Sequence, residues 1–141
     1  MADFVFVPHT ADIAVRARGR GLPALLRAAA LGVTAASLGR ESLEPHRVPG
    51  TSPRRVVSEG APDEEGLLVT FLNEIIYLAE THAEVYTDVE ILSHSCEAGV
   101  EALAYPDPGL SASHSVKAAT YYDLKIERDG EDLTATVVFD V

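Results

Sequence analysis

A helix with a broad apolar face sets the terms for this chain. Leu67, Leu68, Phe71, Leu72, Ile75, Ile76 and Ala79 recur at the helical period and form a wide apolar stripe. A face of that width has to be covered by another layer. Asp63 reads as the N-cap, and Glu64 and Glu65 fall in the first turn, where acids complement the helix dipole. The spacing predicts a helix over roughly 64–81. After it the pattern turns to β, with strands expected near 84–93, 96–105, 115–127 and 132–140. "YPDPGLSAS" at 105–113 reads as a loop, and "RDG" at 128–130 as a hairpin turn.

The first half supplies fewer elements. Phe4-Val5-Phe6-Val7 reads as a short strand, and Asp12 to Arg18 alternates as a second, broken by Gly19 and Gly21. Leu22, Leu25, Leu26, Ala29, Ala30 and Val33 then follow a helical spacing, with Pro23 suited to the first turn and Gly39 to the end. The segment 41–55 carries three prolines and reads as a loop, followed by a short strand over 54–58. The resulting order is β-β-α-β-α-β-β-β-β. A run of strands after the second helix points to an α+β domain with a mostly antiparallel sheet and two main helices, spanning 1–141 as one unit.

Composition narrows the class. Twenty-two acids against eleven bases give a net charge of −11. Such a chain repels phosphate backbones, so no direct nucleic-acid binding is expected. An acidic surface suits solubility, a cation or a basic protein partner. No apolar run reaches the roughly 20 residues of a membrane span, and no signal-peptide pattern opens the sequence. The single Cys96 cannot form an intrachain disulfide. Together these features lead us to expect a cytoplasmic protein without a membrane partner.

No phosphate-cradling glycine loop, nucleophile elbow or paired-cysteine zinc pattern is present. His94-x-Cys96 offers two zinc ligands without the other two, and reads better as part of a strand-to-strand turn. His46 and His82 lie in or beside polar connections and read as solvated. Two places remain. "PHTADIA" at 8–14 puts His9 and Asp12 at the start of the second strand. They read either as a turn cap and a backbone contact or as part of a site. At the other end, Leu133, Ala135, Val137, Phe139 and Val141 share one strand face, and Asp140 shares the other with Thr134, Thr136 and Val138. Asp140 is either a frayed terminal acid or a site residue. If this strand pairs with the strand at 12–18, Asp12 and Asp140 meet at one sheet end, beside the carbonyl and α-carboxylate of Val141. Oxygen-only donors suit a hard cation such as Ca²⁺ or Mg²⁺.

Four blocks carry a wider likeness: "HTADIAV", "DEEGLLVTFLNEIIYLAET", "VKAATYYDLKI" and "TATVVFDV". In this order and spacing they resemble the archease family across essentially the whole chain. The resemblance implies a protein that does no catalysis itself. It implies a cofactor that activates an RtcB-type RNA ligase in tRNA splicing and RNA repair, promoting the ligase's guanylylation and multiple turnover. It implies a divalent-metal site with Asp12, Asp140 and Val141 as ligands, Ca²⁺ first and Mg²⁺ or Mn²⁺ as alternatives. His9, Asp63 and Lys117 would support that site or engage the partner. For Asp63 the plain alternative is the helix cap, and for Lys117 a snorkelling strand lysine.

The sequence departs from the family pattern within 107–122. Leu110 stands where the family commonly has a histidine, His114 lies nearer the lysine, and Tyr122 replaces another frequent histidine. Two competing functions stay open. One is a general chaperone-like binding module. The other is a small metal-dependent hydrolase using His9 and Asp12, which lacks an evident base, nucleophile or further ligands.

Overall fold

A computed structural model describes residues 3–8 and 12–141. Its strands are β1 (Phe4–Val7), β2 (Ile13–Arg20), β3 (Arg54–Ser58), β4 (Tyr86–Ser95), β5 (Gly99–Pro106), β6 (Ala118–Ala119), β7 (Glu127–Asp129) and β8 (Asp132–Asp140). Helix α1 (Leu22–Ser37) lies between β2 and β3, and α2 (Glu64–His82) between β3 and β4. All strand pairs are antiparallel. One sheet runs β1-β2-β8-β6, with β7 also on β8; the other runs β3-β5-β4. The expected α+β class is therefore what the chain adopts.

Each helix touches both sheets: α1 packs on β2 and β4, and α2 on β3, β5 and β6. The apolar stripe of α2 is consequently buried, with Leu67, Leu68, Phe71 and Leu72 all at 0% exposure. Each such side chain stabilises the fold by about 1.5–3 kcal/mol. Asp63 caps this helix as its position predicts: Oδ1 accepts from the Gly66 N–H at 2.7 Å. No helix among the described residues is long and apolar enough to cross a membrane.

Helix α1 ends in a Schellman motif. The Gly39 N–H donates to Ala36 O at 3.1 Å and the Arg40 N–H to Ala35 O at 2.9 Å. Gly39 has φ +67°, a conformation that suits glycine. A Cβ there would also lie 2.6 Å from the His114 ring. The next free carbonyl, Ser37 O, accepts from the N–H groups of Ser113 (2.9 Å) and His114 (3.0 Å). Those two bonds dock the segment 112–116 against the end of α1.

Two expectations need correction. Gly19 does not break β2, which continues to Arg20. It is glycine because the strand passes hard against α1: a Cβ would sit 2.3 Å from Leu25 N. The strand expected over 115–127 is instead two short pieces, β6 and β7, so five strands follow α2 rather than four. From β6 onward, α2 takes over the role of a partner strand. Asn73 and Ala119 exchange hydrogen bonds, and Glu65 Oε2 accepts from the Ile126 N–H at 3.1 Å. Asp123 turns the chain at φ +53°, a conformation that aspartate tolerates.

Candidate metal and partner site

The β2–β8 ladder positions the candidate residues. Its register runs from Arg20↔Asp132 to Ile13↔Phe139. Continued by one residue, that register sets Asp12 opposite Asp140. On the other edge of β8, Ala118 pairs with Asp140, and the Lys117 N–H donates to Asp140 O at 2.8 Å. Three stretches of chain, the entry to β2, the exit of β8 and the entry to β6, thus meet at one sheet corner. Val141 follows directly and is 45% exposed.

The corner is accessible. Asp140 and Lys117 are exposed and Asp12 is half-buried. Asp12 also lines a cavity of about 350 Å³ that reaches the end of α1, where Glu41, Arg40 and His114 face it. Lys117 precedes β6 rather than lying inside a long strand, and its ammonium makes no ion pair among the described residues. His9 lies outside the described residues. Asp63 is committed to capping α2 and takes no part in the strand register that forms this corner.

The donors at the corner are carboxylates. Oxygen donors of this kind fit Ca²⁺, Mg²⁺ or Mn²⁺ and do not select a soft metal. Among the described residues, no group of three or more histidine, cysteine, aspartate or glutamate side chains is arranged to hold a metal ion. An ion here would rest on Asp12, Asp140 and Val141. Ca²⁺ takes about 6–8 oxygen ligands, so much of its shell would stay open to water or to a partner's oxygens.

Some structural features escaped the sequence reading. Asn73 ties the entry of β6 to α2, yet in sequence it is one polar residue in the middle of an apolar helix. His46 is exposed as expected, but its Nε2 lies 2.8 Å from Asp107 Oδ2. That contact is the largest cause raising the His46 pKa, and it holds the Asp107 carboxyl below its usual value. Asp88, 8% exposed, accepts from Arg27 Nη2 at 2.9 Å and from Arg47 Nε at 2.8 Å. Arg47 also stacks 3.9 Å over the Tyr105 ring. No local pattern connects residues 27, 47, 88 and 105.

Comparison with known proteins adds a family. Residues 4–141 match the model of the Archease protein family. The chain is 31% identical to the protein archease of Methanosarcina mazei, across 98% of this chain and 95% of that one. It is 33% identical to the protein archease of Thermococcus kodakarensis, across 85% and 84%. A crystal structure of an archease from Thermotoga maritima, described as a possible chaperone, has a TM-score of 0.60 at 25% identity, covering 96% of this chain and 94% of that one. The solution structure of Methanobacterium thermoautotrophicum protein 1598 has a TM-score of 0.70 at 23% identity, covers both chains fully, and supports the fold alone.

Proposed function

Because the chain belongs to the archease family, we propose that it serves in the cytoplasm as the protein cofactor of an RtcB-type RNA ligase, promoting the ligase's guanylylation and its multiple turnover. The observation that supports the reading is the β2–β8 register, which ends at Ile13↔Phe139, one residue short of Asp12 and Asp140. A divalent cation held there would supply a positive charge for phosphate oxygens. The chain's own residues supply the rest. Asp12, Asp140 and Val141 would hold the ion, and the Lys117 N–H fixes the backbone carbonyl of Asp140. The Lys117 ammonium would meet an acidic or phosphate group of the partner complex. A net charge of −11 favours docking on a basic, RNA-binding protein surface.

The test is RNA ligation by an RtcB-type ligase at limiting enzyme, with substrate in large excess. The expected result is that this protein converts one round into many and that a folded Asp12→Ala variant does not. Normal activation by Asp12→Ala would make the corner a structural feature only. The Thermotoga relative's description as a possible chaperone keeps a second reading in view. That reading gains if the protein suppresses aggregation of unrelated clients equally well with and without Asp12→Ala.

A further inference from the structure

A cavity of about 330 Å³ lies between the C-terminal halves of α1 and α2. That volume falls within the range of about 300–1,000 Å³ typical of small-ligand sites. Its floor is apolar, built from Val33 of α1 and Ile75, Ile76 and Ala79 of α2. The segment 112–116, docked on Ser37 O, closes one side. Two carboxylates, Glu80 and Glu84, and the His114 ring line it, and no lysine or arginine among the described residues does.

The two acids are not equivalent. Glu84 is already matched: Arg54 Nε lies 2.5 Å from its Oε1, and the buried Tyr86 hydroxyl donates to the same oxygen at 2.9 Å. The Arg54 hydrogen bond is the largest cause holding the Glu84 carboxyl below its usual value, so Glu84 stays ionised but neutralised. Glu80 is exposed at the last turn of α2 and has no ion-pair partner among the described residues. The site therefore combines an apolar floor with one unmatched negative charge. An anion is repelled by it, and a purely apolar ligand leaves Glu80 unused. A methylene chain ending in a cation satisfies both features, with its stem on the floor and its head at the carboxylate.

We propose that this cavity binds a primary alkylammonium group, carried either by a lysine side chain of a protein partner or by a free aliphatic diamine. The assignment is independent of the Asp12–Asp140 corner and of the ligase reading. Amide shifts of ¹⁵N-labelled protein test it in parallel titrations with Nα-acetyl-lysine methylamide, with 1,5-diaminopentane and with hexanoate as the charge-inverted control. Saturable shifts confined to 33–37, 75–80 and 112–116 are expected with the amines and not with hexanoate. Tighter binding of the lysine derivative assigns the site to a protein side chain, and tighter binding of the diamine to a free amine. Glu80→Gln weakens the amine about fivefold with the thermal midpoint unchanged. Ala79→Leu, which fills the floor, removes binding. The proposal is overturned by the absence of saturation up to about 10 mM amine, ten times a millimolar Kd. Equal shifts with hexanoate, or unaltered amine affinity in Glu80→Gln, overturn it as well.

Discussion

Asn73 treats Ala119 as a neighbouring strand would: its Oδ1 accepts from the Ala119 N–H at 2.7 Å and its Nδ2 donates to Ala119 O at 3.3 Å. One helix side chain thereby completes the ladder that β6 begins with β8. Asn73→Ala leaves both backbone groups of a buried residue unpaired, at a cost of about 1–3 kcal/mol. Urea unfolding measures the loss, and amide exchange at Ala119 should accelerate more than exchange in β3 or β5.

Asp63 invites a separation of cap from site. Asp63→Ala should cost about 1 kcal/mol through the lost Gly66 contact, and Asp63→Ser should restore most of it. If the cap is its whole role, both variants support ligase turnover as the parent does at a temperature where all are folded. A turnover defect in the well-capped Asp63→Ser would show that the carboxylate itself meets the partner.

The sheet corner predicts a calcium-linked stability. A ligand that binds only the folded state at about 100 times its Kd stabilises by about 2.7 kcal/mol. Ca²⁺ should therefore raise the thermal midpoint of the parent, and Asp12→Asn or Asp140→Asn should remove that rise, each variant being compared with its own metal-free midpoint. A calcium shift that survives both substitutions places the ion elsewhere.

Asp88 contributes to the acid limb of stability. Burial alone would raise its carboxyl, but hydrogen bonds from Arg47, Arg27 and the Val89 N–H outweigh burial and hold the pKa below the usual value. A carboxyl depressed in the folded state contributes stability that is complete above its unfolded pKa, about 3.9, and is lost as pH falls through the folded value. Asp88→Asn should cost about 2 kcal/mol at pH 7, less than a fully buried pair because the Arg27 and Arg47 side chains are 35% and 48% exposed. Urea midpoints of parent and variant should converge only below about pH 4. Convergence at pH 6 would point to another group.

His46 works in the opposite sense. Its hydrogen bond to Asp107 is the first cause raising its pKa, followed by the contact with Glu44 O. A raised histidine pKa contributes below the unfolded value of about 6.5 and fades as pH rises through the folded value. Asp107→Asn should lower the His46 titration midpoint, read from its ring proton shifts. An unchanged midpoint would break the assignment.

How much of this was legible in the sequence depended on where each element's hydrogen bonds go. The α2 stripe and its Asp63 cap were readable because every signal lies within one helix. Strands β2 and β8 were readable because their alternation is strong, and they pair in a register that runs to Ile13↔Phe139. The stretch 115–127 alternates too, but alternation reports which face is buried and not what accepts the N–H groups. Here the acceptors were Asn73 and Glu65, some 46 and 61 residues away in sequence. The arginine pair on Asp88 and the cavity beside Glu80 were invisible for the same reason, since each is assembled from several distant segments.

Strand β8 follows every other element in the chain yet carries bonded neighbours on both edges. On a ribosome the β1–β2 hairpin can form early, but β2 has to wait with an open edge until its partner emerges, because Ile13 meets Phe139. Such long-range pairing is slow and leaves an exposed template for pairing with other chains in the interval. A nascent chain stalled before β8 is therefore an aggregation hazard, and the corner of Asp12 and Asp140 exists only once β8 has been made.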